Sequence, residues 1–219
     1  MSFGYLGDTS TKIKQFAKNA GVLTTDDVLE LEKKQHIGGS LQAINSIDLG
    51  GVSQLDVDVS TSVTGGFDAI MFIGENIHFD SDDAISVRIS TDSNSAIDTG
   101  ATNYESAYTM VTFDGTAYNR GATGANNFQL SEDLNSATND CLHFTLFGWN
   151  LLNTGHPIFA YHSIAIDASA VATSRTAFGG GEFTQNVALD VMRFFPTFGA
   201  ASAMTGKITM YGFKAQWVQ

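Results

Sequence analysis

Acidic and imidazole side chains in this sequence could hold a metal ion, but their spacing does not match a known site. The run Asp80-Ser-Asp82-Asp83 offers carboxylates of the kind that bind Ca²⁺, yet it lacks the glycine and distal glutamate of an EF-hand loop. His143, His156 and His162 are irregularly placed, and no His-Glu-x-x-His or Cys-x-x-Cys pattern supports zinc. We therefore predict a solvated hairpin loop, packed or surface imidazoles, and no metal.

Motifs for nucleophilic or phosphate chemistry are also missing. Gly179-Gly-Gly-Glu182 lacks the Gly-Lys-Ser/Thr ending of a phosphate loop, so we predict an ordinary loop there. No serine stands in a Gly-x-Ser-x-Gly elbow. The single cysteine, Cys141, excludes an internal disulfide, and its apolar neighbours predict a small core residue. The sequence thus predicts a protein that is not an enzyme and needs no cofactor.

Aromatic residues are numerous enough to form more than a core. Some could stack on sugars, although most are expected in a core or an interface: Tyr104, Tyr108, Tyr118, Trp149 and Tyr161. Sixteen phenylalanines and six tyrosines are many for one domain of this size. Because closed symmetric oligomers commonly use surplus apolar surface, we expect self-association, as a homotrimer.

The elements that carry these residues have the two-residue period of β-strands from Ser40 onward. Leu55 to Val59 and Ile85 to Ile89 alternate apolar and polar residues, which predicts half-solvated strands. Four stretches are apolar on both phases and predict strands covered on both faces: 67–73, 142–149, 158–166 and 189–195. Nine or ten strands joined by turns rich in Gly, Asn and Ser predict an all-β, antiparallel two-sheet sandwich of the jelly-roll type.

The last strand is expected at Gly206 to Lys214, where Ile208, Met210 and Gly212 share one face. Both of its faces are largely apolar, which predicts a central position in the sheet. A glycine inside a strand suits a close approach of a ring or backbone, so Gly212 marks a tight contact.

Charge divides the chain in two. Residues 1 to 40 hold five lysines and five acidic residues, whereas the remainder carries the whole net charge of −12. An acidic body without a basic stripe argues against binding nucleic acid or an anionic membrane. The N-terminus is too polar for a secretory signal and no apolar run approaches the ~20 residues of a membrane span, so we expect synthesis in a cytoplasm.

The N-terminal part, residues 1–39, is predicted to be an arm that precedes a sandwich of residues 40–219. Ser10 to Ala20 has helical spacing, and Thr24 caps a second short helix that ends before Gly38-Gly39. These helices have too little apolar surface to fold alone and must dock on the body or on a partner. The residues expected to dock are Ile13, Phe16, Leu23, Val28, Leu29 and Leu31.

Ordered landmarks along the chain resemble those of β-sandwich structural proteins of tailed bacteriophages. The landmarks are Phe67 to Ile73, Ile85 to Asp92 with Asp98 to Tyr104, Ala188 to Phe194, and Gly206 to Lys214. Gly4 to Asp8, Gly21 to Leu31 and Gly38 to Leu41 resemble the start of marine-phage virion proteins. Asn94-Ser-Ala96 departs from the family's glycine-rich turn.

The resemblance implies a non-enzymatic virion component assembled in the host cytoplasm, with other capsid or tail proteins as partners. It would serve as a capsid decoration or a tail or fibre component anchored by its arm. The alternative is a lectin-like receptor-binding module for host surface glycans, which exposed aromatics beside a groove with carboxamides would favour. A polysaccharide hydrolase would instead need two groove carboxylates about 5 to 10 Å apart.

Overall fold

The computed structural model describes the greater part of the chain after residue 40. The described residues are 41–64, 66–90, 97–100, 102–132, 134, 140–152, 155–167, 174–198 and 202–214. The predicted arm, residues 1–39, lies outside them, so its boundary at residue 39 stays a prediction. No helix in the described ranges is both long and apolar enough to cross a membrane.

Twelve β-strands and one helical turn make up the regular structure of the described residues. The helical turn, α1, is Thr61–Thr64. The strands are β1 Leu41–Val52, β2 Leu55–Asp58, β3 Ala69–Phe79, β4 Ile85–Ser90, β5 Tyr104–Thr112, β6 Ala117–Ala125, β7 Phe128–Gln129, β8 Cys141–Trp149, β9 Ile158–Ile166, β10 Arg175–Phe183, β11 Val191–Pro196 and β12 Met204–Phe213.

The strands form two sheets, and their order is that of a jelly roll. The larger sheet has the order β1-β12-β3-β8-β9-β10-β5-β6, and the smaller has the order β2-β11-β4-β7. Eight strands, without β5, β6, β9 and β10, form the jelly roll. Numbered one to eight along the chain, they lie in the orders 1-8-3-6 and 2-7-4-5, so each sheet alternates strands from the two ends of the chain. The predicted antiparallel β-sandwich is confirmed.

Two antiparallel hairpins are inserted into this jelly roll and enlarge one sheet. One hairpin, β5–β6, lies between β4 and β7, and the other, β9–β10, lies between β8 and β11. The free edge of β8 pairs with β9, and β10 then pairs with β5. The larger sheet therefore has eight strands where a simple jelly roll has four.

Aromatic rings from both sheets interlock in the core. Phe194 on β11 lies 5.3 Å from Phe72 on β3 and 5.8 Å from Phe144 on β8, measured between ring centroids. All three side chains are at most 2% exposed. Gly74 on β3 makes room for this arrangement, because a Cβ atom there would lie 2.7 Å from Cζ of Phe144.

Burial confirms some of the predicted strand environments and corrects others. On β3, Ala69 to Phe72 are buried on both faces, as predicted. On β4 the prediction of a half-solvated strand is wrong, because Ser86 and Ser90 are fully buried. The reason is position: β4 lies between β11 and β7, and the Ser86 hydroxyl is hydrogen-bonded to Thr197 Oγ1 at 2.7 Å.

The strands β8 and β9 were predicted to be covered on both faces, and this is also wrong. Leu142, Phe144 and Leu146 point into the core, but the alternate residues of β8 face outward. Trp149 is 39% exposed and its cross-strand neighbour Ile158 is 50% exposed. Cys141, predicted as a core residue, is only partly buried at the start of β8.

The glycine run predicted as a loop is instead part of strand β10. Gly179, Gly180 and Gly181 pair with β9 on one side and with β5 on the other. A Cβ atom at Gly179 would lie 2.7 Å from the Tyr161 ring, and one at Gly181 would lie 2.6 Å from the Phe128 ring. Gly179 and Gly181 are therefore needed for close packing of rings on the inner face of the sheet.

Replacing Gly212 with valine should destabilise the protein. Gly212 is buried on β12, and a Cβ atom there would lie 2.5 Å from Cε1 of Phe67. Overpacking of this kind costs roughly 1–3 kcal/mol. We expect Gly212→Val to lower the midpoint of urea unfolding accordingly.

The matched control is Gly121→Val on the exposed strand β6. A Cβ atom at Gly121 would have its nearest neighbour at 3.6 Å, an ordinary van der Waals contact, and the strand is exposed there, so we expect valine to be tolerated. Equal unfolding midpoints for the two variants would contradict the close packing at Gly212.

Candidate functional site

A pocket lies at one end of the sandwich, where β3 begins and β8 ends. Its volume is about 280 Å³. Its walls include the apolar side chains of Ile70, Leu151 and Leu152, with Asp68 and Asn150 as polar lining residues. Ile70 and Leu151 are almost fully buried, so the exposed lining of the pocket is more polar than apolar.

Asn150 turns the chain at the pocket wall. It follows the last residue of β8 and has a φ of 62°, in the left-handed region that asparagine tolerates better than most residues. Its Nδ2 donates a hydrogen bond to the carbonyl oxygen of His156 at 3.0 Å, which ties the two ends of the turn together. The carboxamide is thereby fixed beside the pocket.

An aromatic ring forms another wall. Three adjacent ring carbons of Phe67 lie nearly equally close to the position that a Cβ atom of Gly212 would occupy. The ring therefore packs face-on against the Gly212 backbone, and its remaining surface lines the pocket. Next along the chain, the Asp68 amide donates to the carbonyl oxygen of Phe213 at 2.8 Å, which holds the exposed Asp68 side chain at the end of β12.

The residues predicted to attach the arm all lie outside the described residues, so their role stays a prediction. They are Ile13, Phe16, Leu23, Val28, Leu29 and Leu31.

The acidic run Asp80 to Asp83 lies within the described residues, and its carboxylates hold loops together. Asp83 Oδ1 accepts hydrogen bonds from the amides of Ala84 and Phe198, and Asp80 Oδ1 accepts one from the amide of Ala203. Asp83 is fully buried, so the prediction of a simple solvated loop is wrong for this residue.

The three histidines each have a different partner. His143 Nε2 lies 3.9 Å from the sulfur of Cys141, and His156 Nδ1 lies 3.1 Å from Glu182. His162 bonds to Thr176 Oγ1 at 2.9 Å. Within the described ranges, no three His, Cys, Asp or Glu side chains are grouped as a metal site would need.

Three of the tyrosines that were considered for sugar binding are held in the interior or partly buried. Tyr104 is fully buried, and its hydroxyl donates to the carbonyl oxygen of Asp98. The Tyr108 hydroxyl donates to the carboxylate of Glu132, whose Oε1 lies 3.5 Å from Arg120 Nε. Tyr161 packs 6.4 Å from Tyr108 between ring centroids. Burial is the main cause that raises the pKa of all three hydroxyls far above the ordinary value.

Other aromatic residues form a patch on the outer face of the larger sheet. Trp149 stacks on Phe147 with ring centroids 5.8 Å apart, and Phe178 stacks on His162 at 4.3 Å. Cross-strand pairing places Ile158 beside Trp149 and Phe178 beside His162, so these residues share one face. We call Phe147, Trp149, Ile158, His162 and Phe178 the outer aromatic patch.

Sequence reasoning missed the two polar residues of the pocket. Asp68 lies in the landmark Phe67 to Ile73 but was given no binding role there, and Asn150 belongs to no motif; each is adjacent to a strand rather than inside a recognisable loop. The usable signal was an asparagine directly after an apolar strand, which favours a left-handed turn. Their common location follows from the pairing of β3 with β8, which brings Ala69 opposite Trp149.

Comparisons with known proteins identify no family for this chain. No protein-family model matches it. No curated protein matches it either. Among solved structures, it is similar to the CBM2 module of the evolved Dit of Lactobacillus casei BL23 phage J-1, with 6% identity and a TM-score of 0.17 over 75% of this chain and 70% of the other. A similarity this weak supports no conclusion about fold or function.

The buried tyrosines should make the protein sensitive to alkali. Because their pKa values are raised in the folded state, the folded protein holds these protons more tightly than the unfolded chain does. Their contribution to the free energy of unfolding is present below the unfolded pKa of about 10 and is lost as the pH rises above it. Above about pH 10, the free energy of unfolding falls with pH in proportion to the protons released on unfolding. We expect Tyr161→Phe to make this slope shallower by the contribution of about one proton.

Urea unfolding at a series of alkaline pH values measures this slope. Tyr118→Phe, which changes an exposed tyrosine at 44% exposure, is the control. A slope in Tyr161→Phe equal to that of the unchanged protein would show that the Tyr161 hydroxyl ionises in the folded state.

Proposed function

We propose that the protein is a non-enzymatic structural component of a tailed-bacteriophage particle. In this role residues 1–39 attach the chain to other capsid or tail proteins and the jelly roll is displayed. The proposal covers both a capsid decoration and a tail or fibre component. Jelly rolls occur in viral capsid proteins, but also in lectins and cupins, so the fold alone does not decide among these functions.

The observation that carries the proposal is where the phage-like landmarks lie in the fold. Two of them are the neighbouring strands β3 and β12 of the larger sheet, and two others are the neighbouring strands β4 and β11 of the smaller sheet. They are thus the two strand pairs that face each other across the core through Phe72 and Phe194.

The remaining landmark, Asp98 to Tyr104, forms a hydrogen-bonded loop. Asp98 Oδ1 accepts from the amide of Gly100 at 2.6 Å, and Asp98 Oδ2 accepts from Nδ2 of Asn103 at 2.7 Å. Tyr104 closes the loop through the Asp98 carbonyl oxygen and also accepts a hydrogen bond from the amide of Ile89 on β4. The resemblance therefore concerns residues that build the sandwich, which supports a shared architecture.

The outer aromatic patch supports self-association, and we include a homotrimer in the proposal. None of its five residues is an aspartate, glutamate, lysine or arginine, although the chain has a net charge of −12. Glu182 lies opposite Ile158 on the neighbouring strand and shares this face, so the patch is apolar and borders one carboxylate. Copies of an acidic protein can approach one another most easily through such an apolar area. The occupant proposed for this patch is therefore a second copy of the chain.

Introducing charge into the patch should dissociate the oligomer. Ile158 and Phe178 are 50% and 55% exposed, so glutamate at both positions should leave the core intact. We expect sedimentation velocity at micromolar concentration to show a trimer for the unchanged protein and a monomer for the Ile158→Glu, Phe178→Glu variant. Burying unpaired charges at an interface opposes association.

Phe113→Glu is the matched control, because Phe113 is 55% exposed in the turn between β5 and β6, away from the patch. This variant should sediment as the unchanged protein does. Only monomer in the unchanged protein, without particles present, would contradict intrinsic self-association.

Deleting residues 1–39 tests the proposed role in the particle. We expect the truncated chain to stay folded, with a melting temperature close to that of the full chain, and to be absent from purified particles. Leu29→Asp together with Leu31→Asp should have the same effect, since burying two unpaired charges in an interface costs several kcal/mol. Occupancy in particles is measured by quantitative mass spectrometry.

The control for the double variant is the charge-preserving pair Lys33→Arg and Lys34→Arg on the same segment, which should be incorporated normally. A folded, truncated chain that still enters particles at normal occupancy would contradict the role of the arm. Loss of thermal stability on deletion would instead indicate that the arm docks on its own sandwich.

A further inference from the structure

We propose that the pocket between the start of β3 and the end of β8 binds one neutral sugar ring. This site is separate from the proposed structural role, because the described residues that line it belong neither to residues 1–39 nor to the outer aromatic patch. Its volume of about 280 Å³ is just below the usual range for ligand pockets, roughly 300–1,000 Å³, and suits a single ring rather than an oligosaccharide.

The lining has the two kinds of surface that a pyranose presents. A sugar ring has apolar C–H faces and a rim of hydroxyl groups. The partly buried ring of Phe67 and side chain of Leu152 supply apolar surface for the former, whereas Ile70 and Leu151 are almost fully buried. The Asp68 carboxylate and the Asn150 carboxamide supply acceptors and donors for the latter.

Asn150 has hydrogen-bonding capacity left for a ligand. Its Nδ2 donates one hydrogen bond, to the carbonyl oxygen of His156, and an amide nitrogen has two hydrogens to donate. Its Oδ1 makes no hydrogen bond within the part of the chain that the structure describes. The turn holds this side chain in place before a ligand arrives, which lowers the entropy cost of binding.

Residues on both sides of the pocket are held in place by hydrogen bonds or close packing. His156, which accepts from Asn150, pairs through Nδ1 with Glu182 on β10 at 3.1 Å. The amide of Leu189 donates to the carbonyl oxygen of Leu151 at 2.7 Å, and Phe67 is fixed face-on against Gly212. The walls are therefore set by strands and by the hydrogen bonds that anchor the turn.

The charge and the polar groups of the lining disfavour the other common ligand classes. Among the described residues that line the pocket, Asp68 is the charged one and is negative, and none is a lysine or arginine. Phosphates and acidic sugars would therefore be repelled. A fully apolar ligand would displace water from the carboxylate and the carboxamide without offering them a hydrogen bond, which carries a desolvation cost. A neutral polyhydroxylated ring can form hydrogen bonds with both groups.

Saturation-transfer NMR with simple methyl glycosides tests the site. The probes are the methyl glycosides of glucose, galactose, mannose and N-acetylglucosamine, at millimolar concentration with the full chain. We expect at least one probe to receive saturation. In the amide spectrum of the protein, that probe should cause its largest chemical-shift changes at Ala69, Asn150 and Leu151. The methyl glycoside of N-acetylneuraminic acid, which is anionic, should bind more weakly.

Variants locate the interaction. Asp68 is exposed, so Asp68→Ala should fold normally and weaken binding at least about tenfold, the loss expected for a hydrogen bond to a charged group. Asn150→Gly keeps a residue that tolerates the positive φ while removing the carboxamide, and it should weaken binding similarly. Tyr118→Ala removes an exposed aromatic from β6, at the far edge of the sheet, and should bind as the unchanged protein does.

Any of three results would overturn the assignment. The first is no saturation transfer to any neutral probe. The second is binding whose shifts lie on the outer aromatic patch and which Asp68→Ala leaves unchanged. The third is a preference for the anionic probe. Incorporation into particles is a separate measurement, so a failed sugar test leaves the proposed structural function standing, and the reverse also holds.

Discussion

Close packing of aromatic rings between the two sheets is the interaction on which the rest of the structure depends. Phe194 from the smaller sheet lies between Phe72 and Phe144 of the larger one, and all three are almost fully buried. Burying such large side chains supplies much of the free energy of folding, and ring contacts add to it. This contact is possible only because Gly74 has no side chain where the Phe144 ring lies. The positions of β3, β8 and β11 follow from it.

The strands that the two hairpins add are covered by different contacts. The inner face of β9, β10 and β5 packs against the segment that includes β7, through Phe128, which lies 5.1 Å from Tyr104 and 4.9 Å from Phe159 between ring centroids. The Ser163 hydroxyl donates to the carbonyl oxygen of Leu130 at 2.7 Å and fixes this segment in place. The outer face of the same strands keeps exposed apolar side chains. Thus one sheet carries both a buried inner face and an outer face with an exposed apolar patch.

The pocket and the phage-like landmarks overlap at one place in the fold. The landmark Phe67 to Ile73 contributes Asp68 to the pocket where β3 begins, whereas Asn150, where β8 ends, lies outside the landmarks. Strand ends and the turns beyond them are where a rigid sandwich can vary its surface without disturbing its core.

The sequence determined the fold class, because its two-residue period and its turns rich in Gly, Asn and Ser indicate strands and turns, whose backbone geometry is local. It also located the tight contact at Gly212, since a glycine within an apolar strand indicates that a ring or backbone approaches closely. It did not determine which strands are covered on both faces: Ser86 is buried and Trp149 exposed because of the neighbours that their strands acquire. The glycine run 179–181 was mistaken for a loop for the same reason, as its partners lie on β5 and β9. The pocket was decided by tertiary structure alone, because Asp68 and Asn150 are 82 positions apart and meet only through the pairing of β3 with β8.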